Sequence, residues 1–264
     1  MKILVCMKQV PDTAEIQIDP ETNTLIRTGV PAIVNPFDSY ALEFAVRLKE
    51  AHGGSVTVLS MGPEQAKAAL RECLAHGAEQ AVLVTDRVFG GSDTLATSYV
   101  LSNAIRHLEA EGGKFDLVLC GQQAIDGDTG QVGPELAEHL GYAQVTYASD
   151  ITIAEGKLRA KRETGEGYDV IEATLPAVVT VTKTKTLPRY ATIRSRIEAN
   201  EAELQVISTA DFAIDTTMCG LAGSPTQVKK TFTPERGKAG IKIVKPAPQA
   251  ADELIELLAA SQIL

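Results

Sequence analysis

The sequence predicts an α/β fold: a parallel sheet covered by helices on both faces, an antiparallel extension of that sheet, and a C-terminal arm. Three observations carry this reading. Four apolar runs in the first half, "KILVCMKQV" (2–10), "SVTVLSMG" (55–62), "QAVLVTD" (80–86) and "DLVLCG" (116–121), are nearly continuous in Val, Leu and Ile, as strands buried on both faces should be. Helix-length amphipathic stretches separate them, which implies right-handed crossovers between parallel strands. From about residue 144 the period changes to short alternating runs with glycine turns between them, the pattern of antiparallel strands.

The elements follow in order. After the first strand, "IQIDPETNTLIRT" (16–28) alternates around "DPETN" and reads as an inserted hairpin. The stretch "PFDSYALEFAVRLKEAHGG" (36–54) puts Tyr40, Phe44, Ala45 and Leu48 on one stripe and ends in glycine. "PEQAKAALRECLAHGA" (63–78) opens with proline, closes at Gly77 and gathers Ala66, Ala69, Leu70 and Cys73. "DTLATSYVLSNAIRHLEAEGG" (93–113) begins with Asp93 as an N-cap, and "PELAEHLG" (134–141) is helix-like. The runs "VTYASDITI", "KLRAKRET" and "YDVIEATLP" form the antiparallel extension, and "PAVVTVT" (176–182) is a fifth main strand. Beyond 186 the chain is irregular until the amphipathic "APQAADELIELLAASQIL". A segment with so little periodicity is poorly placed to build its own core and wraps this domain or a partner. The expected division is residues 1–186 as the α/β domain and 187–264 as a loop and arm.

Composition narrows the function. The chain has 264 residues and a net charge of −9, from 25 basic and 34 acidic side chains, the reverse of a nucleic-acid footprint. The N-terminus "MKILVCMKQVPD" is too short and too soon charged for a signal peptide. No run approaches the roughly 18 apolar residues that a membrane helix needs. A cytoplasmic protein without membrane insertion is expected. Cys6, Cys73, Cys120 and Cys219 show no C-x-x-C spacing and read as reduced core thiols. The four histidines are equally dispersed, so neither a metal site nor a nucleophile–base pair is visible.

In open α/β sheets ligands sit outside the carboxyl ends of the strands, near helix N-termini. Here those ends are Cys6-Met7-Lys8, Ser60-Met61-Gly62, Asp86–Asp93 and Gly121–Val132, joined by the crossover Asn35-Pro36-Phe37-Asp38. Neither a G-x-G-x-x-G nor a P-loop follows any strand, so a standard phosphate cradle is unsupported. The stretch Gly121-Gln122-Gln123-Ala124-Ile125-Asp126-Gly127-Asp128-Thr129-Gly130-Gln131-Val132 is longer than a connection needs. Its glycines permit close approach, its amides suit a phosphate, and Asp126 can accept from ribose hydroxyls. Asp128 and Gln131 have capping-box spacing, which would put Pro134 inside a helix and bend it. A glycine-rich turn whose aspartates only cap a helix is the alternative. A second loop, Phe89-Gly90-Gly91 followed by Asp93, Thr94 and Thr97, has the same style and the same two readings.

At this point the residues resemble a known family. "VCMKQVPD" (5–12), "NPFDSYALEFAVRLKE" (35–50), "CGQQAIDGDTGQVGPELAEHLG" (120–141), "LPAVVTV" (175–181) and "PRYATIRSRIEA" (188–199) resemble the beta subunit of electron-transfer flavoproteins, in the same order over nearly the whole chain. The resemblance implies an adenine-nucleotide-hydrolase-like (Rossmann-like) domain and a heterodimer with an alpha subunit that carries a redox-active FAD. It further implies that the beta subunit holds a second nucleotide, AMP in the respiratory branch or FAD in the electron-bifurcating branch, at Cys6, Asn35–Asp38, Met61 and Gly121–Val132. "QAIDGDTGQVGP", "FGGSDTLATS" and "GSPTQV" are similar to the bifurcating and nitrogen-fixation-associated branch, which favours FAD here. In that branch NADH would reduce the beta-subunit flavin. One electron would pass to ferredoxin or flavodoxin and the other, through the alpha subunit, to an acyl-CoA dehydrogenase.

The family's partner-recognition loop matches Pro188–Ile197. Ile193 stands where the family offers an aliphatic anchor, with Pro188, Arg189, Tyr190, Arg194 and Arg196 around it. An exposed branched side chain fills a pocket on a docking protein, and arginines steer an acidic one. The lysine-rich tract that follows this loop in the respiratory branch is replaced by "EANEAE". Lys8 and nearby backbone N–H groups would stabilise anionic flavin. The alternative is a structural module that holds AMP without redox work. An ATP-hydrolysing enzyme of similar fold finds no metal-binding carboxylate cluster or phosphate-loop lysine in the sequence.

Overall fold

The first strand lies in the middle of the sheet. In a computed structural model, which describes residues 1–12, 31–229 and 240–264, β1 (Lys2–Cys6) stops short of the expected 2–10 run. The Met7 N–H still donates to Leu59 O (2.9 Å), but the Lys8 N–H turns to the Asp38 carboxylate (2.7 Å), and the chain leaves the sheet. It continues as β2 (Gln9–Pro11), paired antiparallel with β3 (Ala32–Val34) in a separate ribbon. The hairpin expected at 16–28 lies outside the described residues.

Three crossovers follow. The first is α1 (Pro36–His52) with β4 (Ser55–Met61). The second is α2 (Lys67–Ala75), preceded by a 3₁₀ turn at Glu64–Ala66, with β5 (Gln80–Val84). The third is α3 (Thr94–Gly112) with β6 (Leu117–Gly121). Next come α4 (Val132–Leu140), the long β7 (Ala143–Ala154), β8 (Lys157–Thr164), β9 (Gly167–Thr174) and β10 (Ala177–Val181). The sheet is completed by a later strand, β11 (Gln205–Ile207), after α5 (Ile193–Glu201).

The strand order is β11-β5-β4-β1-β6-β10-β7-β8-β9. Pairing is parallel from β11 to β7 and antiparallel for β7–β8 and β8–β9. Strand alternation builds two cores. Ile3 and Val5 face α1 and α2, with Tyr40, Phe44, Ala45, Leu48, Leu70 and Cys73. Leu4 and Cys6 face α3 and α4, with Val100, Ile105 and Leu136. A fully buried Leu, Ile or Val of this kind is worth roughly 1.5–3 kcal/mol over its exposed state, so both layers are held strongly to the sheet. Because β4 leaves β1 on one side and β6 returns on the other, the order reverses at β1, and a crevice opens at the strand ends there.

By its contacts the chain from Met1 to Lys229 forms one unit and Lys230–Leu264 another. The division expected after residue 186 therefore falls inside the first unit, because β11 pairs with β5 and the short α6 (Gly220–Gly223) returns to the α3 side. In the second unit the expected terminal helix is α7 (Ala247–Ala260), with Leu254, Leu257 and Leu258 at i, i+3, i+4 spacing.

Candidate functional site

The crevice is built around one carboxylate. Asp38, in the first turn of α1, is buried, and it accepts the N–H of Lys8 on one oxygen (2.7 Å) and that of Gly121 on the other (3.0 Å). It thus ties the ends of β1 and β6 to the start of α1. Burial pushes its carboxyl up to about 7 against the lowering effect of Asn35 and of those two N–H groups. Asn35, also buried, accepts from Ile125 N–H (3.2 Å) and donates to Gln123 O (2.9 Å). One crossover entrance therefore positions both the strand ends and the long loop.

Within that loop Gly130 has φ 65° and Asp128 φ 51°, the left-handed region that Gly and Asp tolerate best. The Asp128 carboxylate is taken by the Gln123 amide (2.8 Å), so the expected capping box does not form. Helix α4 starts at Val132 after Gln131, and no side chain caps it. Pro134 is then its third residue, where a missing N–H costs nothing, and the expected bend has no cause. The first-turn N–H groups at Val132 and Gly133 are left open toward the crevice, as an anion requires. Lys8 reaches across the opening to Asp126 (2.7 Å), with its own side chain half in solvent.

The second loop is closed by a segment far away in sequence. Asp93 caps α3 through the Ala96 N–H (3.0 Å) and also accepts the N–H and hydroxyl of Thr226 (3.0 and 2.7 Å). Burial raises its carboxyl, but the Ala96 and Thr226 bonds outweigh this and hold it below the usual range. Ser224 Oγ accepts the Asp93 N–H (2.8 Å), Gly220 N–H donates to Ser92 Oγ (3.0 Å) and Leu221 N–H to Gly90 O (3.1 Å). Gly220 sits at φ 62° against the Val88 and Gly90 carbonyls, where a side chain has no room.

Together these walls enclose a cleft of about 980 Å³, at the top of the roughly 300–1,000 Å³ typical of ligand sites. Cys6, Lys8, Asn35, Asp38, Met61, Phe89, Gly90, Gly91, Asp93, Thr94 and Thr97 line it, as do Gly121–Ala124, Asp126, Gly127 and Thr129–Val132. Pro36, Phe37, Ile125 and Asp128 do not. Pro36 opens α1, Phe37 packs behind Gly121, Ile125 contributes its N–H to Asn35, and Asp128 serves Gln123. Ser60, at a strand end expected to face the ligand, also lines the cleft, as do Glu135, Pro225 and Thr226, which sequence reasoning missed. Ser60 Oγ and one Glu135 oxygen are buried there without a hydrogen-bond partner among the described residues. Burial pushes the Glu135 carboxyl up, opposed by its bond from Thr94 Oγ1 (3.1 Å). Orphaned polar atoms facing a large cleft fit a ligand that brings its own donors and acceptors.

Away from the cleft, the Pro188–Ile197 segment presents Tyr190 (95% exposed), Ile193 (85%) and Ile197 (54%) to solvent. Arg194 is exposed and pairs, among the described residues, with Glu198, four residues on (2.7 Å). Arg189, also expected among the partner contacts, has its guanidinium shared between Glu43 and Glu50 of α1, with a third of its side chain exposed. Among the described residues no group of His, Cys, Asp and Glu is arranged to hold a metal. All four cysteines are buried and unpaired, and no described helix is long and apolar enough to cross a membrane.

Comparison with known proteins adds the family. Residues 22–212 match the model of the electron transfer flavoprotein domain. The electron transfer flavoprotein subunit beta of Megasphaera elsdenii is 50% identical over 270 residues, covering 100% of both chains. Subunit CarD of the caffeyl-CoA reductase–Etf complex of Acetobacterium woodii is 44% identical, again over 100% of both. Protein FixA of Azotobacter vinelandii is 47% identical over 89% of this chain and 85% of its own.

Proposed function

We propose, for a chain that belongs to the electron transfer flavoprotein family as a beta subunit, that its cleft holds FAD. The protein would then work in a heterodimer with an FAD-bearing alpha subunit, as a bifurcating electron carrier between NADH, a ferredoxin or flavodoxin, and an acyl-CoA dehydrogenase. The observation that carries this reading is the size and double wall of the cleft. The Gly121–Val132 loop alone, with Asn35 and Asp38 behind it, suffices for a mononucleotide. The cleft continues past it to Phe89–Thr97 and to Pro225–Thr226, with room for a second half. The uncapped N-terminus of α4 suits the phosphates, and Ser60 and Glu135 have unmet hydrogen bonds for the ligand's polar edges.

When bound, the flavin supplies hydride acceptance and one-electron transfer. The chain's own residues hold and shield it. Asp38 and Asn35 fix the strand ends and loop, and Cys6, Leu59 and Leu101 give an apolar floor. Lys8, half in solvent and poised by Asp126 at the opening, contributes positive charge. The exposed Tyr190, Ile193 and Ile197, with Arg194 and Arg196, form the docking face for a partner with an apolar pocket and an acidic rim.

Flavin and nucleotide content of the co-purified heterodimer tests the cofactor assignment. Two FAD per heterodimer are expected, and one FAD with one AMP would overturn it in favour of a structural nucleotide. Lys8→Met is expected to make the bound flavin harder to reduce, by on the order of 30 mV for a two-electron couple, since about 1.4 kcal/mol of lost charge stabilisation corresponds to that shift. An unchanged midpoint in a dye-referenced titration would remove Lys8 from this role.

A further inference from the structure

We propose that Arg71 and Arg189 are positioning residues that clamp the two ends of the docking segment and so preorganise the face formed by Tyr190, Ile193 and Ile197. This rests on the docking role proposed above for that segment. Helix α5 is almost bare of core contact: Ala199 is its one buried residue, and its sequence "IRSRIEANE" has no apolar stripe wide enough to hold it down. A nine-residue helix with so little burial is marginal by itself. What holds it is polar and comes from outside.

At the C-terminal end, Nη1 of Arg71, on α2, donates to three carbonyls, Ala199 O (2.9 Å), Asn200 O (2.7 Å) and Ala202 O (3.0 Å). The last carbonyls of a helix have no partner within it and carry the negative end of its dipole. A guanidinium from a neighbouring helix therefore does the work of a C-cap here and fixes α5 to α2 at the same time. At the other end, Glu43 Oε2 accepts both the backbone N–H (3.0 Å) and Nε (2.9 Å) of Arg189, Glu43 Oε1 accepts Nη2 (3.2 Å), and Glu50 accepts Nη1 (2.6 Å) and Nη2 (3.1 Å). Glu43 is buried, with its side chain 9% exposed, so its half of this network is screened less than an exposed pair, whereas Glu50 is 53% exposed and adds little. Between the clamps, Thr192 and Ser195 exchange reciprocal capping bonds (3.0 Å each) and start the helix.

The apolar side chains on this short span are thus displayed from a fixed backbone, and none of the three is used to hold it. Preorganisation of this kind lowers the ordering cost of association. It also places Ile193 and Ile197 one turn apart on one face, with Tyr190 beside the helix start. Both clamps reach back to helices whose other residues line or support the cleft, since α1 carries Asp38 and α2 follows the β4 end. Neither arginine touches the cleft itself.

The test uses the purified heterodimer and a substrate-reduced acyl-CoA dehydrogenase as the docking probe. Arg71→Gln is expected to raise KM for the dehydrogenase about fivefold, with kcat at saturation within about twofold of wild type, as loss of preorganisation without loss of contact predicts. Nucleotide content should stay unchanged, amide exchange over 193–201 should quicken, and Arg71→Lys, which can still donate, should recover part of the loss. Glu50→Gln loosens the other clamp at an exposed carboxylate, carries little folding risk, and is expected to raise KM about twofold. Ile193→Ala separates the two levels. Should it leave KM unmoved, the docking face itself is wrong. Should it raise KM while Arg71→Gln and Glu50→Gln quicken exchange and leave KM alone, the face is right and the positioning role is overturned.

Discussion

Gly121→Ala is expected to cost about 3 kcal/mol of stability, the upper part of the overpacking range, and to reduce the nucleotide retained after desalting to less than about a tenth of wild type. The backbone at Gly121 does not require glycine; the space does. An added Cβ would lie 2.7 Å from Phe37 Cβ and 2.8 Å from Asp38 N, and closer still to Asp38 Oδ1. The first two belong to the opening turn of α1 and cannot rotate away. The third is the oxygen that accepts the Gly121 N–H (3.0 Å). Helix α1 must therefore back off β6, which breaks the carboxylate bridge between β1 and β6 and draws Asn35 from Gln123 and Ile125. The long loop then loses its main interior attachment, while the two cores remain. Gly127→Ala is the control in the same loop. Nothing lies within 4 Å of its added carbon, so stability should stay within about 0.5 kcal/mol and retention should match wild type. Denaturation midpoints and absorbance after desalting read both quantities, and equal retention by the two variants would refute the account of Asp38 as the cleft's organiser.

The features that were legible in the sequence are those that burial writes locally. The central strands needed apolar residues on both faces, so β1, β4, β5, β6 and β10 appeared as continuous runs. The long crossover helices carried their core stripes openly, as at Tyr40, Phe44 and Leu48. Asp93 announced the cap it makes. The two glycine loops could be placed at one end of the sheet because parallel topology leaves little choice. What stayed hidden depends on partners distant in the chain. The break after Cys6 exists because the Lys8 N–H finds Asp38 thirty residues later, and nothing in "VCMKQV" reports it. Strand β11 is three residues, Gln205–Ile207, two of them exposed, and only β5 beside it makes it a strand. Pro225 and Thr226 reach the cleft wall through Asp93, more than a hundred residues upstream. Asp128 and Gln131 had the spacing of a cap, but Gln123 captured the aspartate first. The ion pairs of Arg189 were equally hidden, since the two glutamates that hold it lie on α1 at heptad spacing, well over a hundred residues upstream.

Asp38→Asn should change the pH dependence of stability more than any other single substitution in the cleft. The unfolded carboxyl ionises near 3.8, whereas burial holds the folded one to about 7. Between those values the unfolded chain has released a proton that the folded chain retains. The Asp38 contribution to stability therefore falls as pH rises from about 4 to about 7, and is level on either side. The difference between those two values corresponds to a ceiling of about 4 kcal/mol. The charged and titratable groups around it do not cancel this. Lys8 pulls the value down but is half in solvent, and the nearby Cys73 and Cys120 thiols are pushed further above their ordinary range and stay neutral throughout the window. Asparagine has no such titration, but its amide nitrogen cannot accept, so one of the Lys8 and Gly121 N–H donors loses its partner, at about 1–3 kcal/mol. The variant should be the weaker protein at pH 4 to 5 and should gain on wild type up to about pH 7, closing or reversing the gap, with little change above that. Urea midpoints of the two nucleotide-free proteins at four pH values test this directly. A gap that stays constant across the range would mean that Asp38 is already ionised in the fold, and that its two backbone donors, rather than its burial, decide its charge.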